Sequence, residues 1–144
     1  MPSINPYLTF NGNCEAAFNH YKSVFGGEFP YVGRFKDMPE MGGKSVPESE
    51  AEKIMHMSLP IGEGTVLFGS DTSEIFGRPV VQGNNFTISV NTGSEEEADR
   101  FFKGLSEGGS VIMPMGKTFW NSYFGMLTDK FGINWMVSFE YGKQ

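Results

Sequence analysis

The chain writes one local programme twice, and that repeat constrains its fold more than any other feature. The first copy runs Asn5-Pro6-Tyr7-Leu8-Thr9-Phe10, then a helix-patterned stretch from Asn13 to Phe25, Gly26-Gly27, and strand-like sequence to Asp71. The second runs Asn85-Phe86-Thr87-Ile88-Ser89-Val90, a helix-patterned stretch from Ser94 to Leu105, Gly108-Gly109, and strand-like sequence to Glu140. A repeat at this spacing means that each copy is one supersecondary unit. The pattern predicts an α+β fold in which two βαβββ modules form a cup-shaped mixed β-sheet with the helices on its outer face. The 144 residues then make a single domain, with a first module at about 4–71, a linker at about 72–83 and a second module at about 84–141. Function is expected on the inner wall of the cup.

Both helices carry their own punctuation. In the first, Asn13 stands at the N-cap and Glu15 in the first turn, while Cys14, Ala17, Phe18, Tyr21, Val24 and Phe25 form one apolar stripe. The Gly-Gly pair ends it, because glycine adopts positive φ without steric cost. The second opens on Ser94-Glu95-Glu96-Glu97, a Ser-x-x-Glu capping box whose carboxylates suit the positive helix end. Ala98, Phe101, Phe102 and Leu105 form its stripe.

Strand side chains alternate between faces, so parity separates a helix-covered face from an open one. Phe86, Ile88 and Val90 are expected on the helices, and Asn85, Thr87 and Ser89 on the cup. In the last strand Trp135, Val137 and Phe139 oppose Asn134, Met136 and Ser138. Sliding the repeat onto the first half sends Asn5, Tyr7 and Thr9 to the cup, with Val66, Phe68 and Ser70 from a later strand. Met55, Met57 and Leu59 read as core, which leaves His56 and Ser58 for the cup. The Pro-, Gly- and acid-rich stretch Asp37–Glu52 and the connection Asp71–Gly83 read as loops, either plain connectors or lids.

Composition narrows the function classes. A formal charge of −6, with no basic cluster, argues against nucleic acid, whose binding needs cations to displace phosphate counterions. No apolar run is long enough to span a bilayer, and the amino terminus does not read as a signal peptide. One cysteine, Cys14, forms no intrachain disulfide and suits a reducing compartment. The chain is therefore expected in the cytoplasm, bound to neither membrane nor nucleic acid. Fourteen Phe and nine Met supply ample apolar volume, Met being an adaptable filler of surfaces that accept varied shapes.

The run Thr118-Phe119-Trp120-Asn121-Ser122-Tyr123-Phe124-Gly125-Met126-Leu127-Thr128-Asp129-Lys130-Phe131-Gly132-Ile133-Asn134-Trp135-Met136 resembles the signature of PhnB-like proteins. These belong to the vicinal oxygen chelate superfamily, with glyoxalase I, bleomycin-resistance proteins and extradiol dioxygenases. The opening Pro6–Ala17 and the stretch Leu67–Asp71 resemble the same group, so the likeness covers nearly the whole chain in order. It implies a glyoxalase-like fold, often a homodimer, whose cup closes within one chain or by exchange of modules.

The resemblance also implies a divalent metal held by four cup residues, on the first and fourth strands of each half. Those positions carry Asn5, Phe68, Asn85 and Met136. The family ending Asp-Pro-x-Gly-x-x-x-Glu would place its glutamate four residues after Gly132, where Met136 stands. Phenyl and thioether groups do not ligate a hard cation, so no metal and no cofactor are expected there. PhnB-like chains are also grouped under a ubiquinone methyltransferase label, yet no glycine-rich nucleotide-binding turn follows a strand here.

What remains is a soft aromatic lining: Tyr7, Phe68, Trp120, Tyr123 and Met136, with His56, Asn85, Thr87 and Ser89 for hydrogen bonds. Apolar walls with a few fixed polar groups describe a small-molecule pocket. The leading expectation is a metal-free, glyoxalase-fold binder of an apolar or aromatic small molecule. The alternative is a metal-dependent lyase, isomerase or dioxygenase, with a metal held elsewhere and His56, the sole candidate base, taking part. A third reading gives the cup a partner protein, contacted through Asp37–Glu52.

Overall fold

Each half folds as a four-stranded mixed sheet with one helix, in the order the repeat predicts. The computed structural model describes residues 2–37, 46–74 and 78–142. Within the first compact unit, Met1–Val81, lie β1 (Tyr7–Phe10), α1 (Cys14–Phe25), β2 (Tyr31–Arg34), β3 (Ile54–Ile61) and β4 (Thr65–Asp71). Within the second, Gln82–Gln144, lie β5 (Ile88–Asn91), α2 (Glu95–Ser106), β6 (Ser110–Lys117), β7 (Ser122–Thr128) and β8 (Asn134–Glu140). The strand orders are β1-β4-β3-β2 and β5-β8-β7-β6. In each unit the first strand pairs parallel with the last, and the other pairings are antiparallel.

Helices of twelve residues are marginal alone in water, so both rely on packing. Cys14, Ala17, Phe18 and Tyr21 of α1 are fully buried, with Leu8 and Phe10 of β1 and Met57, Leu59 and Leu67 of β3 and β4. Ala98, Phe102 and Leu105 do the same for α2, with Leu127, Trp135 and Val137. Gly26 follows α1 at φ 80° and ψ −168°, a region that only glycine enters freely.

Three local expectations are corrected. Asn13 makes no side-chain cap bond. Asp71, at the far end of β4, accepts instead from the backbone N–H of Gly12 (3.0 Å) and Cys14 (2.9 Å), and its other oxygen accepts from Ile54 N–H (2.9 Å). Met55 is half-buried while Ile54 is core, because the β2–β3 register shifts between Gly33 and Arg34 and breaks the alternation. β5 begins at Ile88, leaving Asn85 in an exposed bend and Phe86 at 65% exposure instead of in the core.

The loop expectations fall partly outside the described residues, which omit 38–45 and 75–77. The described ends of the acidic stretch are short 3-10 turns, Phe35–Asp37 and Glu48–Glu50. Glu50 is 3% exposed and accepts from Lys53 Nζ (3.2 Å) and from Glu74 N–H (3.1 Å), which ties the second turn to the segment after β4.

Candidate functional site

An aromatic platform occupies the sheet face that α1 leaves uncovered in the first unit. Tyr7 lies opposite Phe68 across the parallel β1–β4 ladder, and Ser58 of β3 lies opposite both Phe68 and Tyr31. Period-two alternation sends all of these to the face away from Leu8, Leu67 and Met57. The His56 ring centroid is 5.5 Å from that of Phe68, with the planes at 28°, and 5.6 Å and 5.9 Å from Tyr7 and Tyr31. Tyr7 and Phe68 stack at 6.2 Å. The Tyr7 hydroxyl lies 3.2 Å from His56 Nδ1. Ser58, beneath the rings, is 7% exposed, whereas Tyr7 and Tyr31 keep about half of their surface open, at 51% and 49%.

Tyr31 is the member that sequence reasoning missed. Its signal is Gly33, two residues on and on the same strand face. A β-carbon at Gly33 would stand 2.5 Å from the Tyr31 hydroxyl and 2.9 Å from its ring, so the ring lies across the glycine. Gly33 is also the cross-strand neighbour of His56. The missing side chain is what lets Tyr31 lean onto the imidazole.

The other expected site residues divide differently. Asn5 Oδ1 accepts from Val66 N–H (2.9 Å) and so guides the chain into β1. Trp120 sits in the turn before β7, 52% exposed, its ring edge-on to Phe124 at 5.8 Å and to Phe119 at 5.0 Å. Met136 is half-buried, opposite Ser89 and Met126. Thr87 is half-buried just ahead of β5. Tyr123 departs from expectation: it shares strand parity with Gly125 and Leu127 and donates its hydroxyl to Asp99 of α2 (2.6 Å), on the helix side. That bond pushes its hydroxyl up to about 12, with desolvation and the Asp99 charge adding to it. Asn134 Nδ2 donates to the Gly83 carbonyl (2.9 Å), and beside it Gln82, Gly83, Asn84, Thr128 and Gly132 line an open polar depression of about 420 Å³.

The repeat is offset by two residues from the simplest alignment. Pairing equates Tyr7, opposite Phe68, with Ser89, opposite Met136. Asn5 then corresponds to Thr87 rather than Asn85, and because the slip is even the parity survives it. At the family's ligand positions the first alignment offers two amides, a phenyl and a thioether, and the second an amide, a hydroxyl, a phenyl and a thioether. Neither donor set fits a transition-metal ion such as Zn²⁺, which takes carboxylate, imidazole or thiolate ligands. Among the described residues no three His, Cys, Asp or Glu side chains gather into a cluster able to hold one. Cys14 is wholly buried, and burial, followed by the charges of Asp71 and Glu15, pushes its thiol far up, so it stays protonated.

A family model described as 3-demethylubiquinone-9 3-methyltransferase matches residues 2–138. Protein YjdN of Escherichia coli (strain K12) is 34% identical over 144 residues, covering 96% of this chain and 95% of that protein. Among solved structures, protein PA1353 from Pseudomonas aeruginosa is 43% identical with a TM-score of 0.84, over 97% of this chain and 98% of the other. A putative 3-demethylubiquinone-9 3-methyltransferase, PhnB protein, from Bacillus cereus is 25% identical with a TM-score of 0.74, over 96% and 99%. A glyoxalase/bleomycin resistance protein from Albidiferax ferrireducens T118, 19% identical with a TM-score of 0.58 over 93% and 96%, shares the fold. Matched along nearly its whole length, this chain belongs to the PhnB-like family described as 3-demethylubiquinone-9 3-methyltransferase, built on the glyoxalase-like fold.

Proposed function

We propose that this chain binds a small apolar or aromatic molecule on the open face of its first sheet, with no metal at the family's usual positions. The observation that carries the reading is the gathering of Tyr7, Tyr31, His56 and Phe68 around the nearly buried Ser58. Three phenyl-type rings supply flat apolar area, and the imidazole supplies one polar handle. That is the composition of a small-molecule seat. The cluster contains neither a carboxylate nor a thiol, so its own groups support reversible binding rather than covalent chemistry. We assign no methyl transfer to it.

Magnitudes set the test. A bicyclic aromatic laid on the face buries on the order of 200 Å² of apolar surface, worth about 5 kcal/mol at roughly 25 cal/mol per Å². That corresponds to a Kd of about 0.2 mM. Naphthalene-sized probes at millimolar concentration should therefore raise Tm measurably, and Phe68→Ala should erase the effect while the protein stays folded. An unshifted Tm across a panel of bicyclic aromatics overturns the proposal. The metal-free part is checked by calorimetry with Zn²⁺, Ni²⁺ and Mn²⁺, where tight stoichiometric binding would refute it.

We also take the chain to act as a homodimer in the cytoplasm. Supporting the first is β6, an edge strand on which Val111, Ile112 and Met113 are 50%, 61% and 47% exposed. Supporting the second is the single reduced cysteine, and among the described residues no helix is long and apolar enough to cross a membrane. Sedimentation of the purified chain as a monomer at micromolar concentration would remove the dimer.

A further inference from the structure

The Tyr7–His56 contact carries more than apolar area, because it decides which way the imidazole faces chemically. In a neutral imidazole one nitrogen donates and the other accepts. The phenol is the more acidic donor and the unprotonated ring nitrogen the stronger acceptor, so of the two directions open to this 3.2 Å contact the favoured one has Tyr7 O–H donating to Nδ1. The ring proton then resides on Nε2. Among the described residues Nε2 has no protein partner, while the ring is flanked by Phe68 at 28°, Tyr7 at 34° and Tyr31 at 43°. Rings on these sides resist a flip that would exchange the two nitrogens.

Resting on the binding proposal above, we infer that Tyr7 is a positioning residue that holds His56 as an Nε2–H donor, so the ligand is a planar aromatic bearing an acceptor oxygen at its edge. A carbonyl, carboxylate or phenolate oxygen meets that requirement. A ring without one strands the N–H as it displaces water, and a stranded donor is costly. Matched ligands that differ only in this oxygen should therefore bind with affinities about tenfold apart or more. The rings recognise flatness, and the single N–H recognises the oxygen.

Two measurements on the full chain separate this inference from the reading it rests on. The first needs no ligand. The chain has two histidines, so ¹⁵N imidazole spectra of the wild type and of His56→Phe assign His56 unambiguously. Nδ1 should appear as an unprotonated acceptor, and in Tyr7→Phe its resonance should move toward that of a free acceptor nitrogen. A proton on Nδ1, or a resonance indifferent to Tyr7→Phe, overturns the positioning role. The second compares 2-acetylnaphthalene with 2-ethylnaphthalene, near-isosteres that differ in one carbonyl. The acetyl compound should bind the wild type about tenfold more tightly or better, and His56→Phe, which keeps a ring in the stack, should equalise the two. Equal binding to the wild type overturns the ligand class and leaves the aromatic seat standing. Failure of both probes to bind the folded wild type overturns the seat and the ligand class together, while the ¹⁵N result still decides the role of Tyr7.

Discussion

The two units share a topology and almost nothing of their polar engineering. In each, a phenylalanine of the helix sits on a bare glycine of the sheet: Phe18 over Gly69 in β4, and Phe102 over Gly125 in β7. The glycines occupy different strands. In the first unit the helix start is capped from the far end of β4 by Asp71. In the second, Ser94 accepts from Glu97 N–H (3.1 Å) and Glu97 reaches back to Gly93 N–H (2.9 Å), a local exchange. The buried carboxylate of the second unit, Asp129, serves the β7–β8 turn and holds Trp135 Nε1 (2.9 Å). Apolar periodicity is thus duplicated, whereas each polar problem is solved once and differently. Duplicated topology does not oblige duplicated chemistry, and only the first unit combines an imidazole with stacked rings on its open face.

The sharpest way to break this contrast is to remove the long-range cap. Asp71→Ala leaves the N–H groups of Gly12, Cys14 and Ile54 without their acceptor, two of those bonds being buried. Stranded buried donors cost about 1–3 kcal/mol each, so a loss of about 3–5 kcal/mol is expected by urea denaturation, with hydrogen exchange accelerating first in α1 and β3. Asp129→Ala should cost slightly less, about 2–4 kcal/mol, since its Trp135 bond is buried while those from Phe131 and Ile133 N–H are part-buried, and should alter the tryptophan near-ultraviolet signal. Comparable protection of α1 in the wild type and in Asp71→Ala would show that the first unit does not depend on its distant carboxylate.

Ser94→Ala sharpens the same contrast at smaller scale. The loss of this part-buried N-cap bond is worth about 1 kcal/mol. The box should fail locally, with exchange confined to the first turn of α2. A loss as large as that of Asp71→Ala would erase the distinction between local and long-range capping.

The same distinction explains what was legible in the sequence. The Ser94–Glu97 box lies within one window of four residues and reads directly, as do both helix stripes and the strand ends at Asp71 and Glu140. Asp71 as a cap is invisible locally, because its partners lie 57 and 59 residues away and nothing in the spacing links them. Tyr7, His56 and Phe68 were legible through parity. Tyr31 was not, since a lone glycine in a short edge strand reads as weak strand sequence until its neighbour across the ladder is known. Parity also decides Tyr123: counting back from Leu127 through Gly125 puts it under α2 rather than on the open face.

Gly33→Ala probes the platform with little effect on stability, because the obstructing atoms are the far end of one tyrosine. The β-carbon should swing Tyr31 off His56 and weaken aromatic probes about threefold to tenfold, at a cost in stability within about 1 kcal/mol. The equivalent glycine of the second unit by β-ladder position is Gly116, opposite Phe124, where the nearest atom to an added β-carbon lies 4.0 Å away. Gly116→Ala should therefore leave binding unchanged. An equal effect at both positions would mean that the two open faces are interchangeable.

The smallest effect separates two of the tyrosine bonds, that of Tyr7 with an imidazole in the first unit and that of Tyr123 with a carboxylate in the second. Tyr123 donates to Asp99, and that bond raises its hydroxyl from an ordinary value near 10 to about 12. A raised folded-state value means that the folded chain keeps this proton after the unfolded chain has lost it. The stabilising contribution is therefore complete below about pH 10 and disappears as pH rises through about 12. Asp99→Asn removes the charge that opposes phenolate formation, so one component of the phenolate absorbance titration should move from about 12 back toward 10. Tyr123→Phe should delete the share of one tyrosine and leave that of Tyr141, which burial and Glu95 also push up to about 12. Were Asp99→Asn to leave the curve where it was, the hydroxyl would not be held by the helix, and parity alone would have to keep Tyr123 on that side of the sheet.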